Sequence, residues 1–260
     1  MKAFRIFLFF VVGLAVILYL VATTAAPIRK MNEWNRIATD DSVFMKKYSE
    51  IAQYPGLLPL VKERAQKEAI LSLAKQDSVG LVINLKEKKA SLMLKGIEIH
   101  NSNIISYELD PIFKGIQSPA YRKLFTSPVN NVSEEFSSLV KIPIVKRKAP
   151  KDTLEAMQIA LQLAKNPVAP PVDPAYVNYK MEYGFQLFFA QNEWISEDEK
   201  ALQKKFEADL RKLKRENNKN ALLNFKNPTY VPALVLHLEG KEIRSIYRAI
   251  PKNADFVLIY

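Results

Sequence analysis

From Ile6 to Ile28 the chain carries no charged residue, and this run limits what it can be more than any other feature. Lys2 and Arg5 precede the run, and Arg29 and Lys30 close it. Its twenty-three residues at ~1.5 Å each make a helix of roughly 34 Å, enough to cross a hydrocarbon core of ~30 Å. Ile6, Phe10, Leu14, Leu18 and Ala22 are the expected anchor residues. A cleaved signal peptide is the competing reading, with small residues at Thr23–Ala26. The run is longer than the ~7–15 residues of a signal core, and Pro27 sits badly just beyond a cut after Ala26. The expectation is a retained, single-pass signal-anchor. Flanking cations nearly balance, but the free amine adds to the first side, and Glu33, Asp40 and Asp41 dilute the second. This favours the domain on the extracytoplasmic, periplasmic side.

Composition narrows the rest by exclusion. The 260 residues are 48% hydrophobic and 25% charged, enough for one sizeable core or two small ones. The absence of cysteine removes disulfides, thiolate nucleophiles and a lipidation cysteine. Seven glycines, with no GxGxxG and no GxxxxGK[ST], leave no phosphate-cradling loop of those types. The two histidines, His100 and His237, fit no metal-ligand spacing, so no metal and no cofactor is expected. Both lie in expected strands opposite aliphatic neighbours, on the face read as wetter. Net charge is +11, which favours anionic partners such as lipid headgroups or wall polymer. No pattern interleaves cations with aromatics as nucleic-acid modules do, and none is expected as a partner.

The fold expectation is α+β: the transmembrane helix, a helical stalk over 31–76, then a domain over 77–260. That domain should hold a mixed, mostly antiparallel sheet with two or three packed helices. Val43–Gln53 and Leu57–Lys75 read as helices, broken at Tyr54-Pro55-Gly56. From Leu81 the apolar period changes to two, which predicts a hairpin or meander ending near Ile99 and a further strand over 103–109. Ala120–Phe125 and Ser133–Leu139 read as short helices, and Thr153–Lys165 as a helix opened by Asp152-x-x-Glu155. The proline-rich stretch 166–174 reads as a linker. Residues 175–191 read as one or two aromatic strands. Ser196-x-x-Glu199 opens the clearest soluble helix, acidic at its start and basic at its end, matching its dipole. Val231–Leu238, Ile243–Ala249 and Phe256–Tyr260 read as closing strands.

No residue pattern points to catalysis. Glu182, among Tyr179, Tyr183 and Phe185, is the one carboxylate whose pKa burial could raise. It serves the alternative reading, a carboxylate-dependent cell-wall hydrolase. The leading expectation is a non-catalytic binding or scaffolding subunit of the envelope, partnered by another envelope protein or a second copy. Its candidate partner surface is basic: Lys146, Arg147 and Lys148, then Arg211, Lys212 and Arg215.

The stretch LVINLKEKKASLMLKGIEI, residues 81–99, resembles the opening hairpin of L,D-transpeptidase domains. Those enzymes need a nucleophilic cysteine, which this chain lacks, so the resemblance implies no such activity. The overall plan resembles single-pass envelope proteins of Bacteroidetes-type bacteria. They combine an anchor, a stalk, a Lys/Asn-rich α+β domain and a segment like KAPKDTLEA, here Lys148–Ala156. This resemblance implies a location and no reaction.

Overall fold

The structure, a computed structural model, describes residues 2–37, 42–125, 130–141, 157, 174–223, 229–252 and 254–260. All of the expected linker 166–174 but Pro174, almost all of the expected helix 153–165, and Lys146, Arg147 and Lys148 lie outside the described residues.

Helix α1 spans Lys2–Ile37 without interruption, 36 residues that include Pro27, or ~54 Å at 1.5 Å per residue. It is long and apolar enough to cross a membrane, and its most apolar stretch is uncovered. The large apolar side chains from Ile6 to Val21 are all exposed. Beyond them the same helix enters the domain: Ala26 is buried and Trp34 is wholly enclosed. Helices α2 (Ser42–Ala52) and α3 (Leu58–Ala74) follow. The segment expected as a stalk is therefore helical but does not stand off. Trp34, Ala65, Ala69 and Leu73 bury its inner faces against the sheet, because apolar area is worth ~25 cal/mol per Å² when removed from water.

The strands are β1 (Gly80–Asn84), β2 (Lys89–Leu94), β3 (Ile97–Asn103), β4 (Ser106–Leu109), β5 (Asn130–Ser137), β6 (Tyr176–Met181), β7 (Gln186–Gln191), β8 (Ala233–Leu238) and β9 (Asp255–Ile259). Their order is β3-β2-β1-β9-β5-β6-β7-β8-β4. Among the described residues, β1/β9 and β7/β8 are the pairs that run parallel. The two edge strands, β3 and β4, are consecutive in the chain. Between them Ile104 N–H donates to the Lys88 carbonyl, and Ile105 N–H to the His237 carbonyl. One bent segment thus pairs with β2 by its first half and with β8 by its second, and the sheet closes into a barrel. The class is α+β with a mixed, mostly antiparallel sheet, as the apolar periods predict.

Period-two alternation assigns the two faces. Leu81, Ile83, Leu92, Val177, Tyr179, Leu187, Leu234, Leu236, Phe256 and Leu258 share one interior cluster. Val82, Val257 and Ile259 face outward under Ala69 and Leu73 of α3. Tyr176, Phe188 and Val235 face outward under α5 (Glu197–Leu223), through Phe206 and Leu213. One barrel end is closed by Trp34, by Ile112 and Phe113 of a 3-10 turn, and by α4 (Ser118–Phe125). The opposite end is closed by α6 (Gly240–Ala249), which inserts Ile243, Ile246 and Tyr247.

Two expected elements change type. Ile243–Ala249 is helical: its apolar residues recur at three and four, and the helix drops all three onto the open end of the barrel. Ser133–Leu139 is mostly strand β5, whose first residues pair with β9 and the rest with β6. Pairing of Val132 to Ser137 with β6 satisfies that backbone in a ladder, which outweighs local propensity.

Candidate functional site

A cleft lies where α1 meets α5. Ala26 and Ala221 bury each other beside Tyr230. Two alanines permit close approach of the helix backbones. Asn218 Nδ2 donates to the Tyr19 hydroxyl at 3.3 Å. Beside this junction lies a cleft of about 590 Å³, walled by Tyr19 on one side and by Arg211, Lys214, Arg215, Lys219 and Leu222 on the other. On α5 those positions fall at three- and four-residue steps, so they form a single stripe. The opposite stripe packs on the barrel: Phe206, Leu213 and Asn217 are buried. Asn217 clamps Val231, donating to its carbonyl and accepting from its N–H, each at 2.9 Å. Arg211, Lys212 and Arg215, expected as a partner surface, are exposed on this helix. The expected capping box also holds. Glu199 Oε2 accepts from Ile195 N–H at 2.6 Å and Ser196 N–H at 2.8 Å, and Ser196 Oγ accepts from Glu199 N–H at 3.2 Å.

A serine, a histidine and a glutamate converge at the α6 end. His100 Nε2 lies 2.8 Å from Glu242 Oε2. Ser102 Oγ donates to the same oxygen at 2.6 Å and lies 3.1 Å from His100 Nε2. The residue types match a hydrolytic triad, but the geometry does not. A triad base uses one ring nitrogen for the nucleophile and the other for the acid. Here one nitrogen faces both groups, and Ser102 is 1% exposed. The cluster ties α6 to β3. Burial works to raise the Glu242 carboxyl, but hydrogen bonds from Ser102 and His100 and the charges of His100 and Lys241 outweigh it, so it titrates below its ordinary value. The reading of Ile97 and Ile99 as inward is corrected here. They are 68% and 50% exposed, while Ser102 and Ile104 point in. In the register Ser102 faces Ala90 and His100 faces Leu92, both interior residues, so the even positions share their face.

His237 lies outward, as alternation predicts, but the face is covered. Its ring is 6.1 Å from that of Phe206 on α5. Burial lowers its pKa against an opposing pull from Glu108. Glu182 stands exposed in the β6–β7 turn, at the end α1 closes, where the adjoining Tyr183 carbonyl accepts from Trp34 Nε1 at 3.0 Å. It shares no cleft with His100, which is at the opposite end. Three carboxylates do border one cleft of about 370 Å³, Glu193, Glu199 and Glu239. Glu199 is occupied by its capping box, and Glu239 pairs with Lys241 at 2.8 Å. Among the described residues no cluster of His, Asp or Glu could hold a metal ion.

At the α1 end a lysine sits among aromatics. Lys62 Nζ lies 3.9 Å from the Tyr260 ring centroid and 4.6 Å from that of Tyr121. Burial, then the charge of Lys86, lowers its pKa to about 8. No local sequence pattern marks this lysine, because its aromatic cage forms from residues 121 and 260, far off in the chain. No family model, curated protein or solved structure matches the chain.

Proposed function

We propose that this protein is a single-pass, membrane-anchored envelope subunit that acts by binding or scaffolding, with its barrel on the periplasmic side and without catalysis of its own. One observation carries the reading: the apolar helix does not end in a tether but continues into the domain core, where Trp34 is enclosed. Trp34 meets Phe113, Phe125 and Phe185 edge-on at 5.6, 6.0 and 6.5 Å. A helix built into the core holds the barrel in one orientation to the bilayer, which suits a scaffold. It also favours retention over cleavage, since a cut after Ala26 would sever the helix at its contact with Ala221. The outward positions of the bent strand supply a partner-facing surface. Ile97, Ile99, Ile105 and Tyr107 are all exposed there, and their apolar side chains offer area to another envelope protein or to a second copy.

The test is purification of the full chain from mild detergent after cross-linking in cells. A second protein or a second copy in fixed ratio is expected, and Ile97→Lys with Ile99→Lys should remove it. Repeated recovery of the wild-type chain alone and monomeric would overturn the reading.

A further inference from the structure

We propose that the cleft between α1 and α5 is a binding site for one anionic phospholipid. Its phosphate would sit on Lys214, Arg215 and Lys219, and an acyl chain would lie along Tyr19 and Leu222. The inference rests on the membrane-anchor reading above and goes beyond it, because an anchor alone requires no lipid preference.

Three observations converge on it. The first is depth. The continuous stretch of exposed large apolar side chains on α1 runs from Ile6 to Val21, with Ile28 exposed beyond it; that stretch is roughly 24 Å of helix, while a hydrocarbon core is ~30 Å thick. The bilayer must therefore reach past Tyr19 toward Ala26. Tyr19 and the cleft beside it then lie within reach of acyl chains, and the long cationic side chains of α5 extend from there toward the headgroups. The second is charge. Arg211 lies 3.8 Å from Glu207 and Lys212 lies 3.9 Å from Glu216, but among the described residues Lys214, Arg215 and Lys219 face no carboxylate within ion-pair distance. Three cations this close repel one another, and an anion between them relieves that cost. Long cationic side chains also reach from an apolar stem to a phosphate, which fits this depth. The third is the lining. Leu222 is exposed at 36% beside Tyr19 at 42%, giving apolar contact next to the cations. A headgroup with an attached chain matches that pairing, whereas a free phosphate or a soluble polyanion uses only the cations.

The α5 C-terminus carries the negative end of the helix dipole, which opposes an anion there. That effect is worth about half a charge, and three unneutralised cations on the stripe exceed it.

The experiment uses the full chain in nanodiscs of phosphatidylcholine mixed with phosphatidylglycerol, with native mass spectrometry reading which lipid remains bound. Wild type should keep phosphatidylglycerol in preference. Lys214→Gln, Arg215→Gln and Lys219→Gln together should weaken that binding roughly 100-fold, at about fivefold per cation. A control with the same charge change elsewhere, Lys67→Gln, Lys95→Gln and Lys241→Gln, should leave it unchanged. Equal retention in the cleft variant, or equal loss in the control, would overturn the proposal. So would binding of a soluble glycerol-phosphate polymer to the detergent-solubilised protein as tightly as the lipid. Alkaline carbonate separates the two readings. Wild type that resists extraction but shows no lipid preference sinks the lipid site alone, and wild type released by carbonate sinks the anchor with it.

Discussion

The two ends of the barrel are closed by different chemistry. At one end α1 delivers an indole into a nest of phenyl rings, and its polar atom finds a backbone carbonyl. At the other, α6 delivers two isoleucines and a tyrosine and is then held by a serine, a histidine and a glutamate on one carboxylate oxygen. The first closure is dry and depends on shape. The second depends on protonation. The dry closure belongs to α1, whose Trp34 is held by edge-on packing against Phe113, Phe125 and Phe185. The polar closure is left to the end away from the anchor.

Four measurements break or sharpen this contrast. Trp34→Ala should cost most, about 3–5 kcal/mol, through a large cavity among aromatics. Urea unfolding of the full chain in detergent reads it, and a loss below ~1 kcal/mol would mean that α1 does not belong to the core. Ile246→Ala should cost about 2–4 kcal/mol at the other end. A similar shift in midpoint would show that both plugs belong to one cooperative unit. Glu242→Gln should cost about 1–3 kcal/mol by leaving Ser102 and His100 poorly paired. Its pH signature is the sharper test. A carboxyl depressed in the folded state adds stability above its ordinary value of 4.5, and that stability is lost as pH falls through the lower folded value. The variant should therefore flatten the acid limb of the stability curve. Lys62 gives the smallest effect, with the reverse dependence. Its amine is depressed to about 8 from 10.5, so between these values the unfolded chain holds more protons and stability rises with pH. Melting curves of wild type should shift upward across that window, and those of Lys62→Met should not.

How much of this was legible beforehand differs by element. The helix opened by Ser196-x-x-Glu199 was readable to its cap, because the capping box is a local hydrogen-bond pattern. The hairpin from Leu81 was readable because its apolar residues alternate. Residues 243–249 read as strand if Ile243 and Tyr247 alone are weighed, but Ile246, three residues after Ile243, fits only the helical period. The exposure of Ile97 and Ile99 was not readable either. Which face of a strand turns inward depends on its partner's register, and β3 takes its register from Ala90 and Leu92. Of the candidate site, Arg211 and Arg215 are visible as part of a charge run, while Lys212 of the same run lies outside the cleft. Tyr19, the other wall of the cleft, looked like one more apolar residue of the anchor.

The sequence by itself determined that one helix can cross a membrane, that thiol chemistry is absent, and that helices accompany an alternating sheet. These are properties of composition and of short periods, and they need no distant partner. Tertiary structure alone decided that the anchor helix continues into the core, that the sheet closes through one bent strand, and that α5 turns its basic stripe toward Tyr19. Each joins residues far apart in the chain, and such contacts form only when the whole barrel fixes where its helices lie.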